Sequence, residues 1–233
     1  MNEEELALSK AAAKEMRKKE RDLVTQFANL DSFPSQKIPA AVFMSGSPGA
    51  GKTEFSKNLI EILGDDVVRI DPDEIRLTLS QYKAGNAHLF QNAVAIGVDA
   101  VFHHALKHEQ NFILDGTMAH YDIAFKNISK VLYSRGIVHI FYVYQDPVLA
   151  WKFTQDREKL EGRNITKEVF IRAFFSSKKN VNILKQNFDD KLQLHLIKKD
   201  YKNNVEEFKI NVDSIDNYLK ISYTIEDLER LLS

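Results

Sequence analysis

The sequence has no cysteine among its 233 residues. Disulfide bonds, thiolate zinc sites and thiol nucleophiles are therefore excluded, because each of them needs a cysteine sulfur. The formal net charge is only −1, so there is no overall positive field to draw the chain towards nucleic acid or acidic membranes. We therefore expect neither nucleic acid nor a membrane as a partner.

Long apolar runs are also missing from the sequence. No stretch offers the roughly 20 apolar residues that are needed to span a bilayer. Residues 1–5 are mostly acidic and do not resemble the apolar core of a signal peptide, so we expect a cytoplasmic protein. The length suits one domain with a sizeable core, or one domain with an appendage.

The most informative segment, which we call the phosphate loop, runs from Gly46 to Thr53 and has the pattern G-x-x-x-x-G-K-T. Glycines let such a loop turn sharply and leave its backbone N–H groups free to bind phosphate at a helix N-terminus. Lys52 is placed to neutralise the β- and γ-phosphates, and the Thr53 hydroxyl to bind Mg²⁺. The predicted phosphate-binding residues are Gly46, Ser47, Pro48, Gly49, Ala50, Gly51, Lys52 and Thr53.

The segments that flank the phosphate loop have the order that the motif requires. Residues 40–44 form an apolar run suited to a buried parallel strand. Residues 53–63 carry apolar side chains at helical spacing, and Gly64 follows as a stop signal. A strand before the loop and a helix after it distinguish a phosphate site from a chance match in a glycine-rich turn.

Strands and helices alternate along the rest of the chain, which predicts a three-layer α/β/α fold with a mainly parallel sheet. In such sheets ligands bind at the carboxyl ends of the strands. The predicted strands are 67–71, 111–115, 137–144, 192–197 and a short one at 209–212. The predicted helices are 73–80, 86–108, 121–134, one that ends near 187, and a last one capped by Thr224.

Residues 3 to about 30 have a charged helical pattern, and a segment with two prolines follows at 31–39. We therefore divide the chain into an N-terminal helical segment with its linker, 1–37, and a domain that carries the phosphate loop, 38–233. The helical segment is either packed on the domain or solvated, or it is a partner-binding or regulatory arm. The nearly balanced charges favour a packed or solvated helix over a partner-binding or regulatory arm.

Two acidic motifs follow predicted strands. In the first, we favour Asp73 as the residue that orients an attacking hydroxyl and accepts its proton, because it lies past the strand end. Asp71 is then a strand-end or helix-capping residue, or a support for the site. In the second motif, Asp115 is placed to hold Mg²⁺ through water and Thr117 to bind the substrate. The alternative for Asp115 is a plain turn residue before Gly116.

Three arginines lie in and after a charged segment: Arg157, Arg163 and Arg172. A guanidinium group suits phosphate better than an ammonium group does. On a closing lid these side chains would clamp the phosphates and stabilise the transferred group. The alternative is a solvated charged loop.

The helix predicted at 86–108 contains further candidates. Asp99 is either a surface residue or a ligand of a substrate hydroxyl, and its position on the helix does not decide between these roles. His103 and His104 have no second cluster of metal ligands nearby in the sequence, so zinc is not expected. Trp151, further along the chain, is expected in the core.

These motifs together resemble the zeta toxin family of phosphate-loop kinases. The resemblance covers about 38–190 and rests on the order of the phosphate loop, 70–73, 115–117, the Arg157–Arg163 segment and the helix with Arg172. It implies that Asp73 is the catalytic base and that Asp99 and Thr117 contact the substrate. It also implies that Arg157 and Arg163 bind the phosphates of ATP.

The resemblance further implies an activity and partners. The best-known reaction of the family is ATP- and Mg²⁺-dependent phosphorylation of a sugar hydroxyl of UDP-N-acetylglucosamine, which makes its members toxic. Many members are held by a small antitoxin protein that covers the ATP site, and some by an N-terminal helical segment of their own. Two departures bear on the substrate: Asp115 stands where related toxins often have Glu, and the stretch between Arg157 and Arg163 is shorter.

Other functions fit parts of this pattern. A kinase for another small acceptor, such as a nucleoside, NAD or an antibiotic, would use the same motifs. A nucleotide-dependent switch or ATPase module would share the phosphate loop, but the guanine-reading pattern N-K-x-D is missing. A polynucleotide kinase is disfavoured by the nearly neutral net charge.

Overall fold

The computed structural model describes residues 1–64, 66–161 and 165–232. Within these residues, six strands form one sheet in the order β2-β3-β1-β4-β5-β6. Neighbouring strands are parallel except β5 and β6, which pair antiparallel. The predicted α/β fold with a mainly parallel sheet is confirmed. The strands are β1 (Ala41–Ser45), β2 (Val67–Ile70), β3 (Asn111–Leu114), β4 (Val138–Tyr144), β5 (Leu192–Lys199) and β6 (Val205–Lys209).

The helices connect these strands and cover both faces of the sheet. Prolines at the first turns of α4 and α7 and threonine caps before α8 and α9 define where several of them begin. In the described ranges, no helix has the length and apolarity to cross a membrane. The helices are α1 (Glu3–Lys18), α2 (Glu20–Phe27), α3 (Lys52–Leu63), α4 (Pro72–Leu77), α5 (Gln91–Lys107), α6 (Tyr121–Arg135), α7 (Pro147–Glu161), α8 (Lys167–Phe188) and α9 (Ile225–Leu231).

Strand β1 pairs with β3 on one edge and β4 on the other, and apolar residues pack on both of its faces, so it is buried along its whole length. On one face of the sheet, Phe43 meets Phe102 of α5 and Phe112 of β3 edge to face. On the other face, Val42 and Met44 share a core with apolar residues of α3. Both faces of β1 are therefore fixed by packing, and the loop that follows it starts from a rigid position.

The N-terminal helices pack on the rest of the chain. Met16 of α1 and Leu23 of α2 are buried against α5 in the main core. Lys19 donates a hydrogen bond of 2.7 Å to the carbonyl oxygen of Thr78, directly after α4. Of the alternatives for this segment, the structure shows the packed arrangement, while the division of the chain at residue 37 stays a prediction.

Two element boundaries differ from the sequence-based expectation. The last strand is 205–209 and not 209–212, because Asn211 has a positive φ of 48° that ends the extended backbone. Val212 is nevertheless buried, and its N–H donates to the carbonyl oxygen of Leu194 at 2.7 Å, so its apolar character reflects an anchoring contact. The helix expected at 86–108 begins as a 3₁₀ helix at 84–90, and α5 starts at Gln91.

Two histidines meet on neighbouring strands. His139 Nδ1 of β4 lies 3.2 Å from His195 Nε2 of β5. Burial, and to a lesser degree the neighbouring His139, lowers the pKa of His195 to about 4. Burial also lowers the pKa of His139. The folded protein therefore holds both rings neutral at pH values where the unfolded chain begins to protonate them.

The tight contact at Gly97 predicts a stability effect. A Cβ atom at Gly97 would lie 2.7 Å from Ile75 Cγ2 and 2.9 Å from Met16 Sδ. We expect Gly97→Val to lower the free energy of unfolding by about 1–3 kcal/mol, because the helices around α5 must move apart. Urea unfolding measures this change. Gly85→Val is the control, since a Cβ at Gly85 meets no atom within 4 Å, and equal losses in both variants would contradict the prediction.

The histidine pair predicts a pH dependence of stability. Below pH 6.5 the unfolded chain binds protons that the folded protein does not, so stability falls as the pH drops towards about 4. The loss attributable to His195 reaches up to about 3 kcal/mol at the end of this window. Urea unfolding at pH 7, 6 and 5 gives the free energy of unfolding at each pH. This free energy should fall less steeply with decreasing pH in His195→Gln than in the unchanged protein. His88→Gln, at an exposed position, should keep the slope of the unchanged protein.

Candidate active site

The phosphate loop follows β1 and has the backbone that its glycines allow. Gly46 and Gly49 have positive φ values of 135° and 73°. A Cβ atom would lie 2.2 Å from the carbonyl oxygen of Val143 at Gly46, and 2.1 Å from that of Ala150 at Gly49. Both positions therefore require glycine for conformation and for space. The loop therefore lies between β4 and the first turns of α7 and contacts both.

Lys52 and Thr53 lie in the first turn of α3, directly after the loop. Lys52 Nζ donates to the carbonyl oxygens of Gly46 at 3.0 Å and Ser47 at 2.6 Å, so the ammonium group lies over the loop. The N-cap residue, Gly51, has no side chain to cap the helix. The first-turn N–H groups and the helix dipole thus form a cradle that suits an anion such as phosphate.

A partly buried guanidinium group organises the acidic side of the site. Arg69 of β2 forms ion pairs with Asp71, with Glu74 and, at 2.9 Å, with Oδ2 of Asp115. Burial alone would lower the pKa of Arg69, but the three carboxylates outweigh it and the pKa is raised. The arginine therefore stays charged and holds the ends of β2 and β3 together with the start of α4.

Asp115 has one oxygen engaged and one open. Its Oδ2 accepts a hydrogen bond of 3.0 Å from Ser56 Oγ of α3, in addition to the contact with Arg69. Its Oδ1 is buried and has no hydrogen-bond partner within the described part of the chain. Burial, and then the nearby Asp71, raises the pKa of Asp115, against the opposing effect of Arg69. An open carboxylate oxygen near the phosphate loop is a fitting ligand for a hard cation such as Mg²⁺.

Asp71 and Asp73 have different surroundings. Asp71 is buried and caps α4, where its Oδ1 accepts from the N–H of Asp73 at 2.8 Å, so it fixes the start of this helix. Asp73 is partly exposed, with Oδ1 at 2.6 Å from Arg76. Its Oδ2 lies 3.7 Å from the guanidinium of Arg157 on α7. Asp73 is therefore the carboxylate that faces the predicted lid.

Thr117 lies in the loop between β3 and α6, residues 115–120, which we call the β3–α6 loop. Its carbonyl oxygen accepts hydrogen bonds from Ser45 Oγ at 3.1 Å and from the N–H of Gly46 at 3.4 Å. The Thr117 hydroxyl accepts from the N–H of Ala119 at 3.3 Å. The β3–α6 loop is thus attached to the first residues of the phosphate loop.

The remaining predicted residues lie elsewhere. Asp99 is exposed on α5 and lines a surface groove with Arg17 and Arg21 of the N-terminal helices. Arg172 is exposed on α8. Arg163 lies outside the described residues.

Within the described ranges, no three or more His, Asp or Glu side chains cluster in a way that would hold a metal ion. Trp151 is half-buried against Phe170 of α8.

Some residues of the site were missed in the sequence. Arg69 could have been noticed in the sequence, because it is a charged residue inside the apolar strand Val67–Ile70. No feature of the sequence singles out Lys199. Its buried ammonium group donates to the carbonyl oxygen of Asn203 at 2.6 Å and lies 3.3 Å from Glu54 Oε2, in the first turn of α3. The turn between β5 and β6 is therefore attached beside the phosphate loop.

The family model described as "Zeta toxin" matches residues 25–213. No curated protein sequence matches the chain. A solved structure of the PezAT chromosomal toxin–antitoxin system of Streptococcus pneumoniae is 15% identical, with a TM-score of 0.62, and the match covers 100% of this chain and 88% of that one.

Two structures of AvrRxo1-ORF1 with AvrRxo1-ORF2 are also similar. The structure with ATP is 15% identical, with a TM-score of 0.60, and the match covers 86% of this chain and 65% of that one. The structure with sulphate ions is 12% identical, with a TM-score of 0.63 and coverages of 96% and 72%. At these identities the solved structures show the shared fold.

The ion pairs of Arg69 predict a stability effect. We expect Arg69→Met to lower the free energy of unfolding by about 3–5 kcal/mol, because buried carboxylates lose their cation. Adding Asp115→Asn should restore part of this loss by removing one uncompensated charge. Urea unfolding of the single and double variants measures the coupling. The control, Arg21→Met at an exposed position, should change stability by no more than about 0.5 kcal/mol. Independent, additive losses for Arg69 and Asp115 would contradict the prediction.

Proposed function

Because this chain belongs to the zeta toxin family and is an ATP-dependent phosphotransferase, we propose that it transfers the γ-phosphoryl group of ATP to a hydroxyl of a nucleotide sugar such as UDP-N-acetylglucosamine. The contact between Asp73 and Arg157 carries the proposal. It brings a candidate base for the acceptor hydroxyl next to a guanidinium that suits the transferred phosphate.

The phosphate loop would bind the nucleotide. In this proposal the N–H groups of the loop and of the first turn of α3 bind the phosphate oxygens. Lys52, which now donates to the carbonyl oxygens of Gly46 and Ser47, would turn its ammonium group to the β- and γ-phosphates. The Thr53 hydroxyl and the open oxygen of Asp115 would hold Mg²⁺. When bound, that ion supplies neutralisation of the phosphate oxygens.

Asp73 would act on the acceptor. Its carboxylate would orient the acceptor hydroxyl and take its proton as the oxygen attacks the γ-phosphorus. The contact with Arg76 fixes the side chain at the start of α4. Arg157, with Arg163 and Arg172 as further candidates, would stabilise the charge of the transferred group. Thr117 and Asp99 are proposed to contact the acceptor, and Thr117 already lies beside the phosphate loop.

A partner protein is part of the proposal. One similar structure is described as a toxin–antitoxin system, and another as a two-protein complex with ATP. By analogy, we propose that an antitoxin covers the ATP site of this chain. The N-terminal segment is the alternative inhibitor. Since α1 and α2 pack on α5 and Lys19 reaches Thr78 after α4, this segment would act on the site through α5 and the helix that carries Asp73.

A kinase for another small acceptor is the second candidate function. The observation that favours it is Asp115, which stands where related toxins often have Glu. A nucleoside, NAD or an antibiotic would use the same phosphate loop and the same base. The two candidates differ only in the acceptor, so identification of the phosphorylated product separates them.

The test is mass spectrometry of UDP-N-acetylglucosamine after incubation with the protein and Mg-ATP, beside a panel of other acceptors and a metabolite extract. We expect one added phosphate. Asp73→Asn should slow product formation by about 10²–10⁴-fold, because the proton acceptor is lost while the geometry is kept. The matched control is Asp122→Asn, an exposed acidic residue in the first turn of α6, which should keep the rate.

Each outcome decides between the candidates. Phosphorylation of a different acceptor, with the nucleotide sugar unchanged, would reject the nucleotide-sugar proposal and support the second candidate. ATP hydrolysis stimulated by a partner protein, without any phosphorylated metabolite, would reject both. An Asp73→Asn variant as fast as the Asp122→Asn control would remove Asp73 from its role as the base.

A further inference from the structure

The β3–α6 loop is attached to the rest of the protein from two sides. On one side, Ser45 Oγ and the N–H of Gly46 bind the carbonyl oxygen of Thr117. On the other side, Nδ2 of Asn180 donates a hydrogen bond of 2.8 Å to the carbonyl oxygen of Met118. Asn180 lies near the middle of α8, so one buried side chain connects this long helix to the loop.

The backbone of the loop needs such support. Met118 has a positive φ of 54°, which residues other than glycine rarely adopt. Such a conformation persists only where the surroundings enforce it. Asn180 is 6% exposed, so water does not readily replace its amide as the donor to the Met118 carbonyl oxygen. Without this donor, a partly buried carbonyl oxygen would lose its partner and the loop would be free to relax.

We propose that Asn180 is a positioning residue, which fixes the β3–α6 loop so that the Thr117 side chain meets the acceptor. This inference rests on the proposed function, in which Thr117 contacts the acceptor. The Thr117 hydroxyl accepts from the N–H of Ala119, so its direction depends on the turn that Met118 makes. A small shift of this turn would misplace the acceptor relative to Asp73, while the phosphate loop would still bind ATP.

The same helix offers a matched control. Asn182 lies two residues later on α8 and is 7% exposed. Its Nδ2 donates to Asp216 Oδ2 at 2.8 Å, and its Oδ1 accepts from the N–H of Ile215 at 2.8 Å. It therefore holds the turn at 215–217, and among the described residues its side chain forms no hydrogen bond with the β3–α6 loop. Replacing either asparagine removes a buried amide, but only one of the two supports the site.

The experiment compares Asn180→Leu with Asn182→Leu in the full chain. Hydrogen–deuterium exchange of residues 117–119 reports on the loop without any acceptor. We expect exchange about fivefold to tenfold faster in Asn180→Leu and unchanged in Asn182→Leu. Steady-state kinetics use the acceptor that the metabolite comparison identifies. In Asn180→Leu the KM for that acceptor should rise by about fivefold to tenfold, and the KM for ATP should stay within about twofold.

The outcomes separate this inference from the proposed function. Unchanged exchange in Asn180→Leu, or equal effects of both variants, would overturn the positioning role. A joint rise of both KM values would also overturn it, because general loosening of the fold would then explain the loss. If the unchanged protein phosphorylates another acceptor, the nucleotide-sugar proposal fails. The positioning role is then tested with that acceptor, and a selective rise in its KM would support it.

Discussion

The ion pairs of Arg69 are the interaction on which the acidic half of the site depends. Three carboxylates converge at the carboxyl ends of two parallel strands, and they would repel one another without a cation between them. Arg69 supplies that cation from inside β2. Since Asp71 also caps α4, the direction in which this helix leaves the sheet is tied to the same guanidinium group. The position of Asp73, one residue inside the helix, is thereby determined from the core outwards.

The phosphate-binding half is set by backbone contacts instead of charges. Gly46 and Gly49 lie so close to carbonyl oxygens of β4 and α7 that no side chain fits. The loop and the start of α7 therefore form one unit, and α7 carries Arg157 towards Asp73. A charged cluster on one side and close backbone packing on the other fix Asp73 and the phosphate loop in the structure.

The sequence predicted the parts of the site that depend on local pattern. The phosphate loop needs glycines at fixed spacing, and the ends of parallel strands bring Asp115 and Asp73 to one edge, so both were within reach of sequence reasoning. Contacts between distant segments were not. The pairing of Arg69 with Asp115 and the attachment of Lys199 beside Gly51 depend on how the strands are ordered in the sheet. The surroundings of Asp99 were not predictable either. Helical spacing alone does not reveal that Asp99 lies on the face of α5 that borders α1 and α2.

The strand order also has a consequence for the time at which activity can arise. β1, which precedes the phosphate loop, lies between β3 and β4, and Val42 pairs with Ile113 and His139. Contacts so far apart in sequence form slowly and late. At roughly 5–20 residues per second, a ribosome makes the loop several seconds before it makes the strand whose carbonyl oxygen confines Gly46. A growing chain therefore carries the motif long before it carries the site, which leaves an interval in which the phosphotransferase activity does not yet exist.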